Sequence, residues 1–253
     1  MNVRIKEKFQ RQNLHFNTLR YVPEKNKTTI KEFIENSGIR QIAIEGVIGA
    51  GKTTLAQKLA SDLQGEIVLE QFEENPFLPK FYDDPDRFAF QTQIFFLLSR
   101  FKQQQTFRQP GLFHNFLISD YIFEKDKIFA YLNLQEDELK LYETIFSSLE
   151  HSVVKPDLVV YLQCSVARLM TNIRKRARPI EKNMSEAYIK DLNEAYNYFF
   201  FHYRTSPLLI VNATELDFVN NEEDFQDIVK EIFRTDKASV EYYNPLKHSF
   251  MKK

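Results

Sequence analysis

Short apolar runs alternate with longer amphipathic segments along most of the chain. The runs predict strands, and the longer segments carry apolar residues at helical spacing. Because strands that alternate with helices form parallel sheets covered on both faces, the pattern predicts an α/β fold with a five-stranded parallel sheet. We place the strands at 41–45, 66–69, 116–119, 158–162 and 208–211, and the helices at 54–63, 86–108, 137–150, 165–178, 185–203 and 222–233.

The same pattern divides the chain into three parts. Residues 1–39 are polar and basic, and we predict an N-terminal extension that is partly disordered or packed on the domain surface. Residues 40–235 contain all the predicted strands and are long enough to form one domain with its own core. Residues 236–253 are predicted to be a C-terminal tail.

The first predicted strand leads into a glycine-rich turn. Gly46, Gly51, Lys52 and Thr53 fill every fixed position of the pattern G-x-x-x-x-G-K-S/T. In this motif the glycines let backbone N–H groups approach phosphate oxygens at the start of a helix, the lysine reaches the terminal phosphates and the hydroxyl holds Mg²⁺. The sequence therefore predicts an ATP-type site made of Gly46, Val47, Ile48, Gly49, Ala50, Gly51, Lys52, Thr53 and Thr54.

Acidic residues follow the second and third predicted strands. Glu70 is a candidate general base that takes a proton from an acceptor hydroxyl. Asp120 is a candidate partner for Mg²⁺, together with Thr53. Two other interpretations stay open, because Glu70 begins an acidic run typical of a solvated turn and Asp120 is a common helix cap.

A cluster of cations precedes Pro179. Arg174, Lys175, Arg176 and Arg178 follow the fourth strand and its helix. Arginines at such a place are suited to neutralising a transferring phosphoryl group from a lid that closes over it. The alternative is a solvated charged face, the usual location of a charge run.

Composition narrows the class of protein. The net charge is -1, so no overall basic surface indicates a nucleic-acid partner. No apolar run reaches the length of a membrane span, and a single cysteine, Cys164, fits a reducing cytoplasm without an internal disulfide. The 24 Phe and 12 Tyr residues are expected mostly in the core, with some free to line a flat pocket.

The chain from about residue 40 to 233 resembles the deoxynucleoside kinases. The motifs that carry the resemblance are E-G-V-I-G-A-G-K-T-T, L-E-Q-F-E-E-N-P-F-L, F-Y-D-D-P-D-R-F-A-F-Q-T-Q, S-D-Y-I-F-E-K-D-K-I-F-A and R-K-R-A-R-P-I-E. The resemblance implies a P-loop kinase fold with an Arg-rich lid. It also implies transfer of the ATP γ-phosphate, with Mg²⁺, to the 5′-hydroxyl of a deoxynucleoside.

The resemblance assigns further roles by position. Glu70 corresponds to the general base, and Arg176 and Arg178 to arginines that grip the ATP phosphates, with Arg174 beside them. The implied deoxynucleoside-binding residues, Glu70 included, are Tyr82 and Glu181 for the 3′-hydroxyl, Phe90 and Phe129 for the faces of the base, and Gln91, Asp126 and Arg100 for its edge. The family also implies a homodimer.

Three departures from the family pattern concern the site. Tyr121 stands where an arginine usually contacts the 5′ end of the substrate, so that contact must be rebuilt or lost. Asn172 replaces a lid arginine, and Ala177 replaces a lid glycine.

Two alternative functions remain at this point. A nucleoside monophosphate kinase of the thymidylate kinase type would use the same fold, and a nucleotide-binding regulatory module would use the same loop without catalysis. The nucleobase is also open, because the edges of adenine and cytosine both present an amino donor beside a ring acceptor. We expect deoxyadenosine to be preferred.

Overall fold

A parallel sheet of six strands forms the centre of the fold in the computed structural model, which describes Ile34 and residues 37–106, 116–181 and 184–245. All neighbouring strands are parallel, and their order across the sheet is β2-β3-β1-β4-β5-β6. The strands are β1 (Gln41–Gly46), β2 (Glu66–Val68), β3 (Leu117–Ser119), β4 (Leu158–Gln163), β5 (Leu208–Asn212) and β6 (Val240–Tyr243).

Helices connect the strands and cover the sheet. Residues 158–162 of β4 are all buried, although successive side chains of a strand point to opposite faces, so both faces of the sheet are covered here. The helices are α1 (Lys52–Leu63), α2 (Leu78–Asp83), α3 (Pro85–Thr106), α4 (Asp126–Asn133), α5 (Glu136–Glu150), α6 (Val166–Arg176), α7 (Glu186–His202) and α8 (Glu222–Phe233). Short 3-10 turns lie at Phe72–Glu74, Phe123–Lys125 and Pro179–Glu181.

The predicted fold class is confirmed, but the predicted number of strands is wrong. The sixth strand, β6, pairs in parallel with β5, with Leu208 opposite Val240. It lies inside the stretch that was predicted to be a tail. Its side chains are only partly buried or exposed, because β6 is an edge strand. Its sequence, V-E-Y-Y, lacks the apolar run by which the five predicted strands, including the other edge strand β2, could be recognised.

Two short helices were also missed. Helix α2 lies between the second predicted strand and the predicted helix 86–108, where no helix was predicted, and α4 follows the third strand. Most of the predicted N-terminal extension lies outside the described residues. The same is true of residues 246–253 of the predicted tail and of the predicted end of the long helix at Arg108.

The strand order determines where a ligand can bind. β1 lies between β3 and β4. After β1 the chain forms β2 and β3 on one side of it, and then β4, β5 and β6 on the other side. In open parallel sheets such a switch point forms a crevice beyond the carboxyl ends of the strands. The phosphate loop follows β1, Glu70 follows β2 by two residues, and Asp120 directly follows β3. These three segments therefore meet at one edge of the sheet.

Candidate active site

A cavity of about 690 Å³ opens at this edge of the sheet. Its wall is built from the phosphate loop and α1, the segments after β2 and β3, the inner face of α3, and the turn after α6. The residues that line it include Lys52, Thr53, Glu70, Tyr82, Gln93, Phe96, Arg100, Asp120, Lys125, Phe129, Arg176, Arg178 and Glu181. Ile48 also lines the cavity, from the tip of the loop.

The phosphate loop has the backbone conformation that its glycines allow. Gly49 and Gly51 have φ angles of 90° and 95°, in the left-handed region that favours glycine. A Cβ on Gly49 would lie 2.8 Å from the carbonyl oxygen of Leu169, so the loop also packs closely on α6. The expected loop residues thus run from Gly46, the last residue of β1, through a turn into Lys52, Thr53 and Thr54, the first residues of α1.

Lys52 is held inside this turn. Its Nζ donates hydrogen bonds to the carbonyl oxygens of Gly46 at 2.8 Å and Val47 at 3.3 Å. Burial, together with the positive charge of Lys125, lowers the pKa of Lys52 to about 8. A nearby anion would stabilise the charged form of this lysine.

Asp120 joins the phosphate loop to the segment that carries Glu70. Its Oδ2 accepts a hydrogen bond of 2.6 Å from the Thr53 hydroxyl. Its Oδ1 accepts a hydrogen bond of 2.8 Å from the backbone N–H of Glu70. Thr53 and Asp120, the two residues predicted to hold Mg²⁺, therefore bring a hydroxyl and a carboxylate oxygen together at the end of the cavity nearest the phosphate loop.

Glu70 is paired with two cations. Arg100 Nε donates to Oε1 at 2.8 Å, and Lys125 Nζ donates to Oε2 at 2.6 Å. Burial alone would raise the pKa of Glu70, but the charges of Lys125 and Arg100 and their hydrogen bonds hold the pKa well below its ordinary value. The carboxylate is thus ionised at neutral pH, as a proton acceptor must be.

Asp126 lies behind this pair and does not line the cavity, which corrects its expected role at the edge of the base. Its Oδ1 accepts hydrogen bonds from Arg100 and, at 2.5 Å, from Gln93 Nε2. Its backbone carbonyl accepts a second bond of 2.9 Å from the same Gln93 nitrogen. Burial raises the pKa of Asp126 to about 6, and the charge of Arg100 opposes that rise. Asp126 positions two other side chains.

The structure also corrects the predicted base-binding residues on α3, Phe90 and Gln91. Gln91 is exposed, Phe90 is half-buried, and neither lines the cavity. Gln93, which is only 4% exposed, and Phe96 line it instead. Gln93 precedes Arg100 by seven positions, about two helical turns, so the two share a face, whereas Gln91 lies about half a turn away. Helical spacing from Arg100 was a signal in the sequence that identifies Gln93.

Two lid arginines reach the cavity. Arg176 Nε donates to Glu181 Oε2 at 2.7 Å, and the Arg178 guanidinium lies 4.7 Å from the centre of the Phe72 ring. Arg174 is exposed and does not line the cavity, so the structure does not support the phosphate contact that was predicted for it. Asn172, in place of the family arginine, donates a hydrogen bond of 2.8 Å to the Gly49 carbonyl.

The remaining predicted residues also line the cavity. Tyr82 and Glu181 both line the cavity, and the charge of Glu181 adds to burial in raising the pKa of the Tyr82 hydroxyl. Phe129 also lines it and packs edge-on against Tyr196. Lys125, the cation beside Glu70, lies within the motif S-D-Y-I-F-E-K-D-K-I-F-A, but no role was predicted for it. A charged residue in an amphipathic stretch is usually solvated, and only its burial in the structure distinguishes it.

A parallel sheet with a phosphate loop, an ionised carboxylate and lid arginines around one cavity defines a phosphate-loop phosphotransferase. The family model for deoxynucleoside kinases matches residues 42–236. The chain belongs to the deoxynucleoside kinase family, and it is an ATP-dependent kinase.

Relatives of named function agree with this family. The chain is 35% identical to a deoxyguanosine kinase of Bacillus subtilis over 199 residues, which span 76% of this chain and 95% of that one. It is 35% identical to a deoxyadenosine kinase of Dictyostelium discoideum over 209 residues, 81% of this chain and 82% of that one. A solved deoxyadenosine kinase from M. mycoides with bound dATP is 28% identical and superposes with a TM-score of 0.67, covering 76% of this chain and 98% of that one.

Proposed function

We propose that the protein transfers the γ-phosphate of ATP to the 5′-hydroxyl of a deoxynucleoside, with Glu70 as the general base and deoxyadenosine as the preferred acceptor. The observation that carries this proposal is the position of the Glu70 carboxylate. It is ionised, lies in the cavity between Arg100 and Lys125, and is tied through Asp120 to the phosphate-loop residue Thr53.

The chemical roles follow from this arrangement. Glu70 accepts the proton of the acceptor hydroxyl as the oxygen bonds to phosphorus and the bond to the departing ADP breaks. A carboxylate with a low pKa is a weak base, which suits a loose transition state in which the hydroxyl loses its proton late. Arg100 keeps the carboxylate oriented by donating from one side.

The phosphate end uses backbone and charge. The N–H groups of the phosphate loop and Lys52 would hold the donor phosphates, and Arg176 and Arg178 would approach them from the lid. Thr53 and Asp120 would hold Mg²⁺, because their oxygens already lie 2.6 Å apart and Mg²⁺ prefers oxygen ligands. The ion would neutralise charge on the phosphates.

The preference for deoxyadenosine rests on Gln93. Both hydrogens of its amide nitrogen are directed at Asp126, one to the backbone carbonyl and one to Oδ1. The acceptor Oε1 is therefore the group that Gln93 offers to a ligand. Adenine and cytosine present an amino group there, whereas guanine presents a carbonyl oxygen that an acceptor repels. Between adenine and cytosine, the aromatic wall of Phe96 and Phe129 favours the larger ring.

We also propose that the protein is a homodimer formed through α3 and α5. Leu98 on α3 and Leu141 on α5 are about half exposed, and the two helices contact each other. Exposed leucines on packed neighbouring helices are suited to burial against a second copy. Sedimentation of the wild type and of Leu98→Asp tests this, and a monomeric wild type would contradict it.

One assay tests the reaction and its base. Phosphate transfer from Mg-ATP is measured to each of the four deoxynucleosides and to dTMP. We expect transfer to deoxynucleosides, fastest to deoxyadenosine, and a loss of about 10²- to 10⁴-fold in kcat for Glu70→Gln. Glu66→Gln, an exposed acid at the start of β2, is the matched control and should keep full activity.

Other outcomes of the assay would overturn the proposal. Transfer to dTMP alone would make the protein a nucleoside monophosphate kinase. Transfer to no acceptor, with deoxynucleoside binding retained, would make it a regulatory nucleotide-binding module. An unchanged kcat in Glu70→Gln would show that Glu70 is not the base.

A further inference from the structure

Lys125 is a buried cation inside the cavity to which the sequence motifs assign no role. It ends the 3-10 turn Phe123–Lys125 after β3, and it is 2% exposed. Its side chain lines the cavity beside Lys52, Thr53 and Asp120. A lysine is rarely buried to this degree without a specific partner.

The ammonium of Lys125 lies between the proposed base and the phosphate loop. Its Nζ donates a hydrogen bond of 2.6 Å to Glu70 Oε2. Its charge also acts on Lys52 and helps to lower the pKa of that lysine. An ammonium has three N–H donors, and the bond to Glu70 uses one of them. The others are available to a ligand in the cavity.

Pairing with Glu70 does not by itself explain this lysine. Arg100 already provides a guanidinium for the Glu70 carboxylate, through bonds from Nε and Nη2 to Oε1. A second buried cation adds a desolvation penalty and repels Lys52. An anionic group placed between the two lysines would relieve that repulsion. The carboxylates of Glu45, Glu70 and Asp120 offset part of this repulsion, and a phosphoryl group bound here would offset more of it.

The segment that carries Lys125 is held firmly against the phosphate loop. Glu45, at the end of β1, accepts a hydrogen bond of 2.9 Å from the backbone N–H of Ile122 and one of 3.1 Å from that of Gly46. Tyr121, on the same segment, is fully buried and does not line the cavity. Tyr121 therefore supplies no contact to a substrate, and Lys125 is the residue of this segment that faces the cavity.

We propose that Lys125 contacts the phosphoryl group on the acceptor oxygen during transfer, and that it binds the same group in the 5′-monophosphate product. This inference rests on the proposed function. The proton of the hydroxyl goes to Glu70, and the bond between the phosphoryl group and ADP breaks as the bond to the 5′-oxygen forms. Lys125 donates hydrogen bonds to the phosphoryl oxygens throughout and keeps its own protons.

The test compares two ligands that differ only in the phosphoryl group. Binding of the best deoxynucleoside substrate and of its 5′-monophosphate is measured by calorimetry for the wild type, Lys125→Met, Lys125→Gln and Lys125→Arg. We expect Lys125→Met and Lys125→Gln to bind the monophosphate about 10- to 100-fold more weakly, as for a lost charged hydrogen bond, with deoxynucleoside affinity changed by less than about threefold. Lys125→Arg should recover part of the monophosphate affinity, and kcat should fall with the affinity for the monophosphate.

The matched control is Lys127→Met. Lys127 is two residues away and pairs at 3.2 Å with Glu150 outside the cavity, so both affinities should stay at the wild-type values. Lys125→Gln keeps a donor for Glu70 and allows the test if Lys125→Met does not fold. An equal loss of affinity for the two ligands would show that Lys125 acts only by orienting Glu70. An unchanged affinity for both would show that Lys125 contacts neither ligand. Because the test reads binding, it gives an answer even if the wild type transfers no phosphate.

Discussion

The two ends of the cavity are built in different ways. The phosphate end is a run of consecutive residues, Gly46 to Thr54, whose contacts come mainly from the backbone between β1 and α1. The acceptor end brings together Glu70, Arg100, Lys125 and Asp126 from three separate stretches of chain, and its contacts are side-chain ion pairs. The first end depends on local backbone conformation, and the second on tertiary packing. They should therefore fail differently when single residues are changed.

The largest effect on stability is expected at the acceptor end. Arg100→Met removes the guanidinium that Glu70 and Asp126 share and leaves buried carboxylate oxygens without it. Breaking one partner of a buried ion pair costs about 3–5 kcal/mol, so the free energy of unfolding in urea should fall by that amount. Arg87→Met, an exposed arginine on the same helix, is the control and should unfold like the wild type. A loss in Arg100→Met no larger than in the control would show that the acceptor end is not held together by these pairs.

A smaller effect is expected at the phosphate end, and it should arise from the backbone. Gly49→Ala places a Cβ 2.8 Å from the Leu169 carbonyl at a φ angle of 90°. Strained backbone of this kind costs about 1–3 kcal/mol, and relief of the clash should move the loop and weaken ATP binding. The matched control is Gly38→Ala, where φ is 70° but nothing lies within 4 Å of the added Cβ. Calorimetry with ATP should show a loss for Gly49→Ala alone, and equal ATP affinities in the two variants would contradict this account.

The corrected face of α3 gives a third test, confined to the acceptor end. Gln93→Ala removes a buried amide that lines the cavity, and a lost hydrogen bond of about 1.4 kcal/mol raises the KM for the deoxynucleoside about tenfold. Gln91→Ala changes an exposed amide on the other face and should leave KM unchanged. The KM for ATP should be unchanged in both. An increase in deoxynucleoside KM for Gln91→Ala would restore the original assignment.

The last test concerns pH, and its effect is confined to acid solution. The charges of Lys125 and Arg100 outweigh burial and hold the pKa of Glu70 below its ordinary value of 4.5. A carboxylate with a depressed folded-state pKa stabilises the fold above the unfolded-state pKa, and this contribution is lost as pH falls through the folded-state pKa. The free energy of unfolding should therefore fall more steeply below about pH 4.5 in the wild type than in Glu70→Gln. The total difference should be roughly 1.4 kcal/mol for each unit by which the pKa of Glu70 is depressed. Parallel curves for the two proteins would contradict the ion pairing of Glu70.

The same contrast explains which predictions from sequence succeeded. The phosphate loop is a local motif, and its glycines have the left-handed φ angles that the motif requires. The four inner strands and the edge strand β2 were recognised because each carries a short apolar run, which burial on both faces requires in an inner strand such as β4. The edge strand β6, V-E-Y-Y, carries no such run, so it was predicted as a tail.

The errors in the site also have physical causes. Phe90 and Gln91 were assigned by their order in a motif, but a helix repeats about every 3.6 residues, so an offset of two positions moves a side chain to the opposite face. Asp126 was assigned to the ligand, whereas Arg100 and Gln93 lie between it and the cavity. Lys125 lies in one of the family motifs but was given no role, because a lysine in a sequence gives no sign of burial.

By itself the sequence determined the α/β class of the fold, the phosphate loop and the identity of the carboxylates at the strand ends, because each depends on residues that are close together in the chain. Only the tertiary structure decided that Asp126 supports Arg100 from outside the cavity and that Lys125 is buried against Glu70. These contacts join residues from separate elements, and their energies depend on burial and charge in the folded state.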